Sequence, residues 1–350
     1  MKIILLIITI IISCGEEESA VVQSLSPDFS KLNSSCYSAN SNNPIISSGD
    51  LFSGSTWNDP SVLYENNQYI MYASSYVSFH GDIKIYRLVS NDGNAWSLSP
   101  STAVLEKGSS SAWDDKAVET PTVVNFNGTY HMFYTGYQTN TATEFAIGHA
   151  TSSDGINWTK SGANPLVTSI GGVATADDFD QFITAEPGAV VFNGQIYVYF
   201  TGQGYITTSG GTTINDQLMT IELIKSSNGS TFSSPERVFD PDQTLYPRSG
   251  NWKGHSTPQP IVMNNQLHLY VDVFYTDGSD SQRKIHHAFS SDGENNWTND
   301  TSDIFERSDF SWTADEIRSP SAVLVGTTLK LFFASNAGTD LGIGVANCEL

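Results

Sequence analysis

One pattern recurs five times along these 350 residues, and it limits the fold more than any other feature. It consists of a polar or charged residue, a proline, a short apolar strand, a turn, and an aromatic-rich strand. The first copy is Asp59-Pro60-Ser61-Val62-Leu63-Tyr64, a turn at Glu65-Asn66-Asn67, then Gln68-Tyr69-Ile70-Met71-Tyr72. Later copies begin at Glu119-Thr120-Pro121, Glu186-Pro187, Thr257-Pro258 and Ser319-Pro320, with leading prolines 61, 66, 71 and 62 residues apart. Asn127-Gly128 and Asn193-Gly194, set between alternating β-branched and aromatic runs, are strong hairpin signals. Proline is tolerated at the first residue of a strand because no ladder donor is needed there. No stretch sustains a 3.6-residue period, so helices are not expected.

A second element follows each of the first four hairpins. Ser90-Asn91-Asp92-Gly93 with Trp96 and Ser152-Ser153-Asp154-Gly155 with Trp158 share a Ser-x-Asp-Gly-x-x-Trp pattern. Ser226 to Phe232 is a softened copy, and Ser291-Asp292-Gly293 with Trp297 carries one extra residue. Asp-Gly supplies a tight turn and the aromatic residue can plug the gap between neighbouring sheets, so these carboxylates read as structural. Roughly sixty residues and four strands per unit describe a propeller blade. The expected fold is therefore all-β: a single five-bladed β-propeller with four-stranded antiparallel blades. The fifth unit stops after its third strand, Ile343-Gly344-Val345-Ala346. Asn43-Pro44-Ile45-Ile46 resembles Asn164-Pro165-Leu166-Val167, so the N-terminal segment is expected to supply the missing strand. That closure would bring Cys36 to Cys348 and predicts a disulfide between them.

The N-terminus sets the expected compartment. Met1-Lys2 is followed by a mostly apolar run from Ile3 to Ile12, shorter than the roughly 20 residues a permanent span needs. It reads as a secretory signal. Ile11-Ile12-Ser13-Cys14 resembles the lipobox of bacterial lipoproteins, which implies lipidation at Cys14 and a place in the bacterial cell envelope, at the outer membrane or cell surface. The expected organisation is a signal peptide over 1–13, a lipidated flexible tether over 14–34 and the propeller over 35–350. The lipid would be the sole membrane contact. With 37 acidic against 16 basic residues, the formal charge of −21 argues against nucleic acid and anionic headgroups and suits a neutral ligand. A monomer is expected.

Trp57-Asn58-Asp59-Pro60, the proline-led hairpins and the Asp-Gly-x-x-Trp turns together resemble the five-bladed glycosidase superfamily, which includes glycoside hydrolase families 43, 32 and 130. The resemblance covers residues from about 40 to 350 and implies catalytic carboxylates where the innermost strands enter a central funnel. Cleavage of a glycosidic bond needs a proton donor at the leaving oxygen and a second carboxylate that activates water or attacks the anomeric carbon. Asp59 matches the first-blade aspartate that acts as base or nucleophile in these families. Glu186 stands at the third-blade position, where families 43 and 32 usually carry an aspartate that tunes the acid and holds substrate. Glu119, in the second blade, is either the acid or a ligand for sugar hydroxyls. The sequence departs from the pattern in blade four: Gly254-His255-Ser256-Thr257-Pro258 has no carboxylate where those families place their general acid. The acid role then falls to Glu119, Glu186 or a loop carboxylate such as Asp178, or the protein binds a glycan without cleaving it.

Candidate sugar-binding residues are Trp57, Trp113, Asp115, Asp178, His255 and Arg318, with Trp252 and Trp312 as further possible walls of the pocket. Aromatic rings suit the apolar faces of sugars, and acidic groups accept from hydroxyls. No cofactor is required by this chemistry. The cluster from Asp177 to Asp180 is a candidate structural calcium site, although it lacks the spacing of an EF-hand. The sequence has no Gly-x-Ser-x-Gly elbow, Walker loop, dinucleotide fingerprint or His-Glu-x-x-His.

Overall fold

The computed structural model describes residues 26–76, 82–138, 145–169, 183–207, 213–239, 252–277, 280–313, 316–337 and 340–350. Among them there is no α-helix; the chain is built from antiparallel strands. These fall into five groups of like order. The first contains Thr56–Glu65, Gln68–Tyr76, Lys84–Ser90 and Ser97–Leu98. The second contains Ala117–Phe126, Thr129–Tyr137, Ala146–Ser152 and a last strand split into Thr159–Lys160 and Val167–Thr168. The third contains Ile183–Phe192, Gln195–Thr207, Thr213–Ser226 and Glu236–Phe239. The fourth contains Trp252–Met263, Gln266–Asp277, Asp280–Ser290 and the split pair Thr298–Asn299 and Phe305–Glu306. Groups three and four join into one sheet through a single parallel bridge, Met219 to Gly254.

The fifth group, Glu316–Val325, Thr328–Ala337 and Asp340–Glu349, takes its outer strand from Tyr37–Ala39, paired as Tyr37 to Cys348 and Ala39 to Ala346. Ile46 adds a bridge to Ile343, as Val167 pairs Ile147 in group two. The expected Cys36–Cys348 disulfide is present, with Cα atoms 5.1 Å apart. Packing begins inside the stretch expected to be tether. Phe29 and Leu32 lie against the core shared by groups four and five, and Ser34 Oγ is 2.6 Å from Ser302 Oγ.

The groups are stitched together by the Ser-x-Asp-Gly turns. In each turn the serine hydroxyl accepts the glycine amide, at 2.9 Å for Ser152 and Gly155. Asp154 Oδ1 accepts the amides of Ile156 and Asn157, both at 2.8 Å, and these donors hold its carboxyl far below the usual range. The aromatic residue of each turn then packs edge-on against a second-strand aromatic of the preceding group. Trp158 meets Tyr72, Phe232 meets Phe133, Trp297 meets Tyr199 and Trp96 meets Phe332 at ring separations of 5.8, 5.5, 6.3 and 5.9 Å. Group five lacks the turn, and Tyr37 on the borrowed strand takes its place: its hydroxyl lies 2.7 Å from that of Tyr270. The second strands are sandwiched between neighbours, which is why they are apolar on both faces (Tyr69 through Ser75 are all buried). The five first strands contact one another in cyclic order, the last touching the first.

Candidate active site

Every first strand has the same irregularity at the same place. The residue before each proline, Asp59, Thr120, Glu186, Thr257 or Ser319, has φ between 46° and 58°, and the hairpin register jumps there. This is a two-residue bulge. Proline contributes no N–H, so the ladder loses no donor at that residue. A left-handed conformation outside glycine costs on the order of 1–2 kcal/mol and persists only where the surroundings enforce it. Part of that enforcement is a hydrogen bond between groups. The amides of Thr120, Glu186, Thr257 and Ser319 donate to Ser74 Oγ, Thr135 Oγ1, Thr201 Oγ1 and Asp272 Oδ1, at 2.8, 2.8, 3.0 and 3.0 Å.

The bulges aim their residues into one central pocket. Asp59, Thr120, Glu186, Thr257 and Ser319 line it together with Pro60, Pro121, Pro187, Pro320 and Gln259. The structure thus brings Asp59 and Glu186 together at equivalent positions, with hydroxyls at the other three. Glu119 sits one residue before the bulge, in register with Asn58 and Arg318, because Thr120 is the residue that precedes Pro121. Asp59 is buried and accepts from Ser319 Oγ at 2.8 Å. Burial raises its carboxyl above the ordinary value, against the opposing influence of Arg318 and Ser319, and the charge of Glu186 adds to the rise. Glu119 is pushed up to about 8, first by burial and then by the charges of Asp59 and Glu186. The Tyr137 hydroxyl lies beside it without closing a well-aligned hydrogen bond. Glu186 Oε2 accepts from Thr201 Oγ1 at 2.7 Å and from the Thr257 amide at 3.2 Å.

Charged side chains from groups four and five complete the site. Asp272, fully buried on the second strand of group four, pairs with Arg283 Nη1 at 2.9 Å. Arg283 Nε lies 3.3 Å from Glu316, whose other oxygen is 2.9 Å from Arg318 Nη1. Burial pushes Asp272 up to about 7, opposed by Arg283. Asp272 and Arg283 stand on the second and third strands of group four, away from the proline-led first strands that carry the other carboxylates. A signal was present: Ser74, Thr135, Thr201 and Asp272 each stand 14 residues after their group's proline.

The other candidates lie elsewhere. Trp57 is completely buried, its indole N–H donating to Asp50 O at 3.1 Å. His255 is fully buried against the edge of Phe239, and burial lowers it to about 3. Neither lines the pocket. Trp113 stacks on Tyr134 at 5.8 Å, and Asp115 accepts the Ser111 amide at 2.6 Å within its own loop. Trp312 stacks on Phe333 beneath group five. Among the described members of the candidate sugar-binding set, Arg318 is the one placed beside Asp59 and Glu119. Cys14, Asp178 and the rest of the Asp177–Asp180 cluster lie outside the described residues, as does the side chain of Trp252. Among the described residues no His, Cys, Asp and Glu cluster has the arrangement of a metal site.

No family model matches the sequence, and no curated protein matches it. Solved structures do. A thermostable family-43 glycoside hydrolase superposes with a TM-score of 0.62 at 15% identity, over 83% of this chain and 89% of that one. A family 117 glycoside hydrolase from the marine bacterium Zobellia galactanivorans gives 0.59 at 14% identity, over 89% of each chain. An α-L-arabinofuranosidase from Lactobacillus brevis gives 0.60 at 13% identity, over 87% of this chain and 92% of that one. The fold is that of glycoside hydrolases. At these identities the likeness extends to the fold alone, and chemistry has to be argued from the residues.

Proposed function

We propose that the protein is a glycoside hydrolase whose five strand groups are the blades of a five-bladed β-propeller, acting on O-glycosidic bonds of a neutral glycan at the bacterial cell envelope. The observation that carries this reading is Glu119. A general acid must hold its proton at the working pH, and a carboxyl pushed up to about 8 beside two other carboxylates does so. Asp59 is the complementary group. Arg318 and the Ser319 hydroxyl favour its ionised form, which suits it to activate water or attack the anomeric carbon. Protonation of the leaving oxygen by Glu119 and attack assisted by Asp59 would then proceed without a metal. Glu186, hydrogen-bonded through one oxygen to Thr201 and the Thr257 amide, has a second oxygen for a sugar hydroxyl. Excess carboxylate in the funnel disfavours an anionic sugar.

The test is a screen of aryl glycosides and oligosaccharides, with and without phosphate, repeated with Asp59→Asn and Glu119→Gln. Each substitution should lower kcat by about 10²-fold or more while leaving the fold intact. Unchanged turnover in either variant removes that residue from the mechanism. The fourth blade supports a second reading, since Thr257 rather than a carboxylate stands at its bulge. Glycan binding by calorimetry with no product formed would select that reading, a surface glycan-binding lipoprotein. Attachment through Cys14 is part of the proposal. Labelling with a fatty-acid precursor in the native cell should mark the wild type and not Cys14→Ala.

A further inference from the structure

Four of the bulged residues have their amides held by an oxygen on the second strand of the preceding group, and three of those oxygens are hydroxyls. The fourth is a carboxylate, Asp272, buried with no solvent exposure. Ser74, Thr135 and Thr201 do the same holding with a neutral group, so the fold does not require a charge at this position. Burying a carboxylate where a hydroxyl suffices is unfavourable unless the charge does something more. What sets this position apart is the residue being held. Of the four held residues, Ser319 is the one that donates onward to Asp59, through its hydroxyl at 2.8 Å. The strongest acceptor of the set therefore stands behind the residue that orients the base.

The carboxylate is itself fixed. Its second oxygen takes Arg283 Nη1 at 2.9 Å, and Arg283 also reaches Ser256 Oγ at 3.1 Å and Glu316 at 3.3 Å. Glu316 in turn holds Arg318, whose charge favours ionised Asp59. A hydroxyl can rotate about its bond, whereas a carboxylate whose other oxygen is held by a charged Arg283 N–H resists turning away from the Ser319 amide. We infer that Asp272 is a positioning residue for Asp59, acting through Ser319: one oxygen fixes the Ser319 backbone, and the Ser319 hydroxyl fixes and stabilises the Asp59 carboxylate. The inference rests on the hydrolase reading for its kinetic consequence but not for its geometry.

Threonine and valine have the same shape, so Asp272→Thr and Asp272→Val both remove the charge, and only threonine restores the acceptor used by groups two and three. Ser319→Ala removes the link to Asp59 with minimal change of volume. On whichever glycoside the screen finds to be turned over, Asp272→Val should show kcat about tenfold below Asp272→Thr, with KM nearly equal, since displaced catalytic groups cost rate rather than ground-state binding. In the Ser319→Ala background the two Asp272 variants should have the same kcat, because the path is already cut. A second readout needs no turnover: the carboxyl-carbon titration of Asp59 in 13C-aspartate-labelled protein, assigned by its loss in Asp59→Asn. Asp59 should titrate higher in Asp272→Val than in Asp272→Thr, and the difference should vanish with Ser319→Ala. Equal titration of Asp59 in the two variants overturns the inference, as does a kcat difference that persists in the Ser319→Ala background. If the titration difference holds while no glycoside is cleaved, the positioning role stands and the hydrolase reading fails.

Discussion

Glu119 combines two conditions that rarely meet in a carboxyl that remains useful: little water around it and two negative neighbours. In the unfolded chain it would titrate near 4.5, and in the folded protein near 8. Between those values the folded state holds a proton that the unfolded state has released, so this group makes stability fall as pH rises from about 4.5 through 8. Asp59 and Asp272 are shifted in the same direction and add to the slope. Glu119→Gln cannot ionise. Thermal unfolding at pH 5 and pH 8 should show a smaller loss of Tm for the variant than for the wild type. Equal losses would mean that Glu119 is ionised in the folded state at neutral pH, and the proton-donor role would go with it. Buried histidines act at the other side of the range. His149 and His268 are each lowered to about 4, so below roughly pH 6.5 they favour the unfolded state, which can take up their protons.

At the level of strands and turns, much was readable before any coordinates. Asn-Gly hairpins, proline-led first strands and Asp-Gly turns each have a local cause, and local causes leave local sequence marks. The borrowed outer strand was legible for the same reason: Asn43-Pro44-Ile45-Ile46 carries the pattern of Asn164-Pro165-Leu166-Val167. The site was less legible because it is made by register. Aligning the copies on their acidic residues puts Glu119 beside Asp59, whereas the bulge aligns them on the residue before proline and moves Glu119 one place along the strand. That one place leaves Thr120, and not Glu119, among the residues that line the pocket. Trp57 and His255 looked like pocket walls for a related reason. Each stands two residues before a bulged residue, a spacing that would share its face on a regular strand; the bulge breaks that alternation, and both are packed out of solvent. Asp272 was hidden by its setting, a single acid inside the apolar run Tyr270-Val271-Asp272-Val273-Phe274, where its meaning depends on which amide of the next group it meets.

Across the whole molecule, stability depends on closing the ring. Residues 312 apart in sequence are joined by the Cys36–Cys348 bond, and a loop of that size gives the bridge on the order of 5–6 kcal/mol through chain entropy, less any strain. Replacing both cysteines by serine should lower the urea midpoint accordingly, and a reductant should do the same to the wild type while leaving the double variant unmoved. A midpoint indifferent to both treatments would mean the bond does not form in the isolated protein. The pairing of Tyr37–Ala39 with the final strand also bears on the order of events during synthesis. Among the described strands, the first to be made has its partner in the last. A nascent chain that has not yet reached Asp340–Glu349 therefore carries an unpaired early segment, which must be kept from pairing wrongly until its partner has been made.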